Sequence, residues 1–159
     1  MTSLIHELFA AYDYENFPRV ELSRDGKTYG NRRLLISPQT TGEPLIITRT
    51  TYYANAGAKL LSAEELDKYA RSHKYAKEFI LFEDEAQAVV NGVMYTIPEN
   101  GLLTAKAGCR FAFQFLNQEK ESTVLSILFP TILSDEEPDY AMLIQRTREY
   151  LAGSETARL

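Results

Sequence analysis

The dipeptide Asn91-Gly92 constrains the fold of this chain more than any other feature of its sequence. A two-residue Asn-Gly loop accepts the positive φ angles of a type I′ turn, which matches the twist of two paired strands. Apolar residues alternate on both sides of the loop: Ala88, Val90, Val93, Tyr95 and Ile97. Alternation with a period of two is typical of a half-buried strand. The sequence therefore predicts a β-hairpin centred on residues 91 and 92.

Further strands are predicted on both sides of this hairpin. A second turn dipeptide, Asp25-Gly26, lies between alternating segments and predicts an early hairpin or meander. The stretch 44–53 is rich in β-branched and aromatic residues, which favour strands. From residue 78 to residue 130, five or six strand-like runs are separated by turns. Their spacing is typical of a sandwich or barrel.

Other segments of the chain have the apolar period of a helix. Ser62 with Glu65 and Ser134 with Glu137 have the spacing of capping boxes, in which a hydroxyl and a carboxylate bond to free backbone amides at the start of a helix. The predicted helices are an N-terminal helix within residues 4–12, an inserted helix from 63 to about 76 and a C-terminal helix from about 137 to 152.

Composition limits the class of protein. The 159 residues are enough to fold on one hydrophobic core without a disulfide or a structural metal. No apolar run is long enough to span a membrane, and the N-terminus has no export signal, so the cytoplasm is the default location. The net charge of −5 makes direct nucleic-acid binding unfavourable. A single domain over residues 1–159 is predicted, with residues 154–159 frayed.

The strand-rich stretch Glu78 to Pro130 has a characteristic order of turns. Asn91-Gly92 leads through Asn100-Gly101 into the next strand, Ala107-Gly108 precedes an aromatic strand, and the last strand ends at Phe129-Pro130. This order resembles the second half of a small cupin barrel, in particular the ligand-sensing domain of AraC-type regulators. The resemblance implies a mainly β, α+β fold: a small cupin-like or jelly-roll barrel with flanking helices.

The chain departs from a metal-binding cupin at the expected ligand positions. The resemblance implies a His-x-His pair with a downstream Glu, and another His after the loop that precedes the aromatic strand. The histidines of the chain, His6 and His73, fall on predicted helices, while Cys109, Arg110 and Phe111 occupy that loop. A barrel with no metal ligand and no cofactor is therefore expected. The C-terminal residues are also too few for the two helix-turn-helix units of an AraC-type regulator.

The ionisable residues of the chain are expected to have ordinary structural roles. Cys109 lies beside Arg110, which favours a thiolate, but no histidine is near in sequence to act as a base. His6 and His73 are expected to be surface or packing residues of helices. Glu83-Asp84-Glu85 would point in alternating directions on a strand, so a solvated turn is expected rather than a cation site. The sequence predicts no catalytic residue.

Aromatic residues are a stronger indication of function. The chain has ten tyrosines and eight phenylalanines. Such side chains either line a ligand pocket in a small barrel or fill the barrel. The predicted ligand-binding residues are Tyr95, Arg110, Phe111, Phe113 and Phe115. Arg110 is expected near the mouth of the barrel, where a guanidinium can pair with an anionic group of the ligand.

These observations lead to one first hypothesis and two alternatives. The first is a metal-free cupin-like domain that binds a small molecule or a protein partner in a regulatory, non-catalytic role. Such a domain is expected to form a homodimer through a helix or an edge strand. The second is an acidic α+β interaction module of the kind found among secretion chaperones, effectors and immunity proteins. The third is a metal-independent isomerase or cyclase that uses tyrosine and glutamate side chains.

Overall fold

The structure is a computed structural model and describes residues 11–130 and 139–153. The strands and α-helices of these residues, which follow a short 3-10 helix at Tyr14–Asn16, are β1 (Arg19–Arg24), β2 (Lys27–Ile36), β3 (Ile46–Tyr52), α1 (Ala63–Asp67), β4 (Lys77–Phe82), β5 (Ala86–Val90), β6 (Val93–Ile97), β7 (Leu102–Ala105), β8 (Phe111–Phe115), β9 (Ser122–Phe129) and α2 (Tyr140–Ala152). This confirms a mainly β fold with flanking helices. The predicted N-terminal helix and the Ser134–Glu137 capping box fall on residues outside the described part. Neither α1 nor α2 is long and apolar enough to cross a membrane.

Both predicted hairpins are present. Asn91 and Gly92 have φ angles of 48° and 84° and join β5 to β6. Asp25 and Gly26 have φ angles of 52° and 79° and join β1 to β2. Positive φ at both loop positions is the requirement of a type I′ turn, and Asn, Asp and Gly are the residues that adopt it most readily. Local turn chemistry therefore sets the positions of two of the strand pairs.

The strands form two antiparallel sheets that pack face to face. The larger sheet has the strand order β1-β2-β3-β9-β4-β7, and the smaller has the order β6-β5-β8. Strand β9 lies between β3 and β4, so the larger sheet is complete only when this late strand is in place. The core between the sheets contains Ile80, Phe82, Ala86, Ala88, Phe111, Phe115 and Val124.

Helix α1 begins as predicted but ends much earlier. The Ser62 hydroxyl accepts a hydrogen bond from the Glu65 amide at 3.2 Å, and the Glu65 carboxylate accepts one from the Ser62 amide at 3.0 Å. The helix ends at Asp67, so the prediction of a helix to about residue 76 is wrong. The chain turns there because Arg71 pairs with Phe111 of β8, exchanging two backbone hydrogen bonds of 2.9 and 3.0 Å.

Helix α2 covers one end of the larger sheet on the face that looks into the barrel. The C-terminal helix predicted from the sequence is confirmed over Tyr140–Ala152, and Gly153 follows its last turn. Its buried apolar residues are Tyr140 and Leu143. They pack in one cluster with residues of four strands and the segment before β4: Val20, Leu34, Ile46, Ala76 and Leu128. The barrel interior therefore has an aromatic core at one end and a helix over the other.

Candidate functional site

A set of polar side chains lies inside the barrel, between the aromatic core and α2. Strand pairing places Arg32 opposite Thr50, Thr48 opposite Ser126, and Glu78 opposite Leu128 on the inner face of the larger sheet. The segment between α1 and β4 adds two more polar residues. We call this set the inner polar cluster, and its members are Arg32, Thr48, Thr50, Arg71, His73, Glu78 and Ser126.

Glu78 is at the centre of the inner polar cluster, with 1% of its surface exposed. Its Oε1 lies 3.0 Å from His73 Nε2, and its Oε2 lies 3.4 Å from Arg71 Nη2. Burial acts to raise the pKa of Glu78, but the hydrogen bond with His73 and the charge of Arg71 together bring that pKa below its ordinary value of 4.5. Glu78 is therefore an ionised carboxylate held inside the barrel.

Arg32 enters the cluster from β2. Its Nε donates a hydrogen bond to Thr50 Oγ1 at 3.0 Å, and its Nη1 lies 3.6 Å from Asp139 Oδ2. Asp139 directly precedes α2, so this ion pair connects the sheet to the helix that covers it. A cavity of about 20 Å³ adjoins the pair, which is space for a single water molecule. Its polar lining is Arg32, Thr48, Arg71, Glu78, Ser126 and Asp139.

An aromatic cluster fills the barrel on the other side of the polar residues. The rings of Phe82 and Phe113 meet edge to face with centroids 5.0 Å apart, and Tyr52 lies 5.4 Å from Phe115. Burial raises the pKa of the Tyr52 phenol above its ordinary value of 10.0, so this hydroxyl stays neutral. Close ring packing of this kind indicates a filled interior at this end rather than an open pocket.

The structure brings together three of the predicted ligand-binding residues. Phe111, Phe113 and Phe115 alternate along β8, and all three contact the core between the sheets. Tyr95 faces the same side, because it pairs with Ala88 and Ala88 pairs with Phe113. Tyr95 is nevertheless 54% exposed, since β6 is the outer strand of the smaller sheet. The aromatic residues thus form a row that runs from the core to the surface.

Arg110 lies apart from that row. Its Nη2 donates a hydrogen bond to the carbonyl oxygen of Asp67 at 2.7 Å, and its Nε lies 3.6 Å from Asp67 Oδ1. Half of the Arg110 side chain is exposed. These contacts attach β8 to the end of α1. Ligand binding by Arg110, Tyr95 and the three phenylalanines stays a prediction.

Two of the ionisable residues have surroundings that the sequence did not predict. His73 was expected on a helix, and it lies instead in the irregular segment before β4, 3% exposed and beside Glu78. Asp84 of the acidic run forms an ion pair of 2.6 Å with Lys120. Cys109 is half-buried and packs against the core, and His6 lies outside the described residues. Of these residues, His73 alone belongs to the inner polar cluster.

The chain is similar to known proteins in structure but not in sequence. No family model matches the chain, and no curated protein matches its sequence. KdgF from Halomonas sp. superposes with a TM-score of 0.55 at 8% identity, over 77% of this chain and 94% of that one. A predicted oxalate decarboxylase from Thermotoga maritima gives 0.56 at 14% identity, over 77% and 98%. The Schizosaccharomyces pombe Cnp3 cupin domain gives 0.50 at 8% identity, over 74% and 72%.

The chain has a cupin fold. Identities this low concern the fold alone, because one fold supports many unrelated activities. The resemblance to a cupin barrel is thereby confirmed, whereas the narrower likeness to AraC-type sensing domains stays a prediction.

The inner polar cluster does not fit a metal ion. Arg71, His73 and Glu78 follow the order His-x-His and Glu that the resemblance implies, but with arginine in the first position. Phe111 lies in β8, directly after the loop where a further histidine is implied. Arginine stays protonated and phenylalanine has no donor atom, so neither can be a ligand. No three His, Cys, Asp or Glu side chains converge within residues 11–130 and 139–153.

The sequence contained a signal for this cluster. The order Arg71-x-His73, with Glu78 five residues further on, is similar to the His-x-His and Glu order that the resemblance implies for a metal-binding cupin, with arginine at the first position. This order is not apparent when residues 63–76 are predicted as a helix, because His73 then lies on that helix and apart from the strand that contains Glu78.

Proposed function

We propose that this chain is a cupin domain that binds a small molecule through an anionic group at the inner polar cluster, in a regulatory role without catalysis. The observation that supports the proposal is the position of the buried Arg32 and the partly exposed Arg71 beside one cavity at the covered end of the barrel. Burial of charged groups is unfavourable, and apolar side chains of similar size often stabilise a core as well or better. A binding role accounts for charges that packing alone does not require.

The position of Asp139 suggests how a ligand would enter. Among the described residues of the site, the positive charges of Arg32 and Arg71 are matched by the negative charges of Glu78 and Asp139. Glu78 belongs to the sheet, whereas Asp139 belongs to the start of the covering helix. A carboxylate that replaces Asp139 beside Arg32 would keep the charges balanced. We infer that a small carboxylate competes with Asp139 and displaces the start of α2.

Displacement of α2 would give the domain a regulatory output. The helix packs on the sheet through Tyr140 and Leu143, and Arg146 donates a hydrogen bond to the carbonyl oxygen of Arg19 at 2.8 Å. A ligand that breaks the contact between Arg32 and Asp139 would weaken this attachment. A sensing role of this kind agrees with the sequence resemblance to the ligand-sensing domain of AraC-type regulators.

A thermal-shift titration with acetate, succinate and benzoate at constant ionic strength tests the proposal. At least one of them is expected to raise the melting temperature by an amount that grows with the logarithm of its concentration above the Kd, because it binds the folded state and not the unfolded chain. Asp139→Asn removes the competing carboxylate and should bind the same compound more tightly, whereas Arg32→Gln should abolish the shift. Arg148→Gln removes an exposed arginine of α2 and is the matched control.

Two results of this titration would contradict the proposal. One is the absence of any shift in both the natural protein and Asp139→Asn. The other is a rise in melting temperature that persists in Arg32→Gln but is lost in Arg110→Gln. That result would place the anion at Arg110, which the sequence predicts near the mouth of the barrel. The second result would keep ligand binding but move it out of the barrel.

One surface favours a second candidate function, association between two copies of the chain. The outer face of the larger sheet exposes Leu81, Leu102 and Phe129, which are 42%, 57% and 51% exposed. A groove of about 370 Å³ lies on the same face, beside Leu125. Contiguous apolar surface of this kind is typical of protein contacts, and two copies related by a two-fold axis can bury the same residues in each.

Light scattering after size exclusion tests this second candidate. The natural protein is expected to be a dimer and Leu81→Glu a monomer, because the substitution places a charge in the buried contact. Glu121→Gln, which changes an exposed residue of the turn before β9, is the control. A monomeric natural protein at high concentration would show that this face does not join two copies.

A further inference from the structure

The position of Arg71 is set by backbone contacts with β8. Its amide donates to the carbonyl oxygen of Phe111 at 2.9 Å, and its carbonyl oxygen accepts from the Phe111 amide at 3.0 Å. Two residues later, the carbonyl oxygen of His73 accepts a hydrogen bond from the Gly108 amide at 2.8 Å. These bonds fix the register of residues 71–73 against the loop and strand where the family resemblance implies a metal ligand.

The side chain of Arg71 carries its charge into the inner polar cluster. Its Nη2 lies 3.4 Å from Glu78 Oε2, and its guanidinium carbon lies 5.7 Å from the centre of the Phe111 ring. His73 holds the other oxygen of the same carboxylate. The guanidinium therefore lies between two side chains. Phe111 is at the position where the resemblance implies the last histidine ligand, and Glu78 is at the position where it implies the glutamate ligand.

We propose that the guanidinium of Arg71 replaces the metal ion of a metal-binding cupin and acts as a permanent cation for Glu78. In a metal site, the ion balances the glutamate charge and orients it together with the histidines. Here Arg71 balances that charge and His73 orients it, although the chain has lost two donor positions. This inference concerns the cation and goes beyond the proposed function, so it holds or fails whether or not a carboxylate binds.

Restoring one donor tests the proposal. Arg71→His removes the cation and completes the order His-x-His with Glu78, so this variant should gain a site for Zn²⁺ or Ni²⁺. We expect it to retain about one metal ion per chain after desalting, whereas the natural protein should retain none, because two histidines and a glutamate are a donor set that zinc sites use. Untagged protein, metal analysis by mass spectrometry and calorimetric titration provide the measurements.

Matched variants distinguish the metal binding gained in Arg71→His from nonspecific metal binding. Arg110→His makes the same substitution at a half-exposed arginine outside the inner polar cluster and should gain nothing. Adding Glu78→Gln to Arg71→His should remove the gain. The proposal is overturned if Arg71→His retains no more metal than Arg110→His. It is equally overturned if the natural protein retains one metal ion per chain and loses it in His73→Ala.

A second measurement does not depend on how well the new histidine folds. Arg71→Ala removes the ion pair with Glu78, whose carboxylate then keeps only the weaker influence of the Arg32 charge, so the melting temperature of this variant should fall. Millimolar guanidinium chloride should then restore part of the loss by occupying the vacated position, while the same salt should give no gain to Arg110→Ala. Equal responses of the two alanine variants to guanidinium would contradict a specific cation site at position 71.

Discussion

Replacement of Glu78 by glutamine should destabilise the fold through lost charge rather than lost volume. Glutamine has nearly the same shape, but it cannot balance Arg71 or hold His73 as an ionised carboxylate does. A hydrogen bond to a charged group contributes about 1.5–3 kcal/mol. The His73 contact is fully buried, whereas the Arg71 side chain is 35% exposed and partly screened by water. The expected loss is therefore about 2–3 kcal/mol, or roughly 5–10 °C in melting temperature.

The loss of stability in Glu78→Gln should become smaller as the pH falls. The pKa of Glu78 in the fold lies below its ordinary value of 4.5, so the folded state favours the ionised form. The contribution of ionised Glu78 to the free energy of unfolding is fully present above pH 4.5. It disappears as the pH falls through the lowered pKa of the folded state. Urea unfolding from pH 7 towards pH 3 should therefore show a free-energy difference between the natural protein and Glu78→Gln that shrinks in acid.

Two results would refute this reasoning. One is a glutamine variant as stable as the natural protein at pH 7. The other is a difference that stays constant into acid, which would mean that shape or packing is responsible rather than charge. Glu121→Gln is the control, because Glu121 is exposed and its substitution should change neither stability nor pH dependence.

Three further substitutions test the fold. Gly30→Ala would place a methyl carbon 2.2 Å from the carbonyl oxygen of Thr51 in the neighbouring strand, so urea unfolding should show a loss of about 3 kcal/mol; unchanged stability would contradict the pairing of β2 with β3. Phe82→Ala should cost about 3–5 kcal/mol in the same assay, because Phe82 is 2% exposed in the core; a loss below about 1 kcal/mol would contradict its burial. Ser62→Ala should lower stability by about 1 kcal/mol by calorimetry, since the Glu65 amide loses its acceptor; no change would show that the capping box is dispensable.

Local structure was predictable wherever a few neighbouring residues determine it. Asn91-Gly92 and Asp25-Gly26 specify their turns by backbone preference, and Ser62 specifies the first residue of α1. The end of α1 was not predictable in this way. Arg71 pairs with Phe111, forty residues further along the chain, and this tertiary contact overrides the helical period of the segment before it.

The candidate site was harder to predict, because its members come from separate strands. Arg32 and Arg33 are adjacent basic residues in the sequence, and both are buried, on opposite faces of β2. Arg32 meets Thr50 inside the barrel, whereas Arg33 pairs with Glu15 on the outside. The sequence of one strand does not show which of its two faces is buried by other elements. The burial of a charged residue can therefore be assigned only when the neighbouring strands are known.

The cation proposed at Arg71 is part of the polypeptide and would not depend on metal supply. Its contact with Glu78 forms when the chain folds, so a charge of this kind would need no loading step and no delivery protein. Divalent metals compete for nitrogen and oxygen ligands in a fixed order of affinity, and a site that uses them can be filled by the wrong ion. A guanidinium avoids that competition, and it is neither extracted by chelators nor changed by the redox state of the cell. The internal charge of the barrel would then not depend on which metal ions the cell supplies.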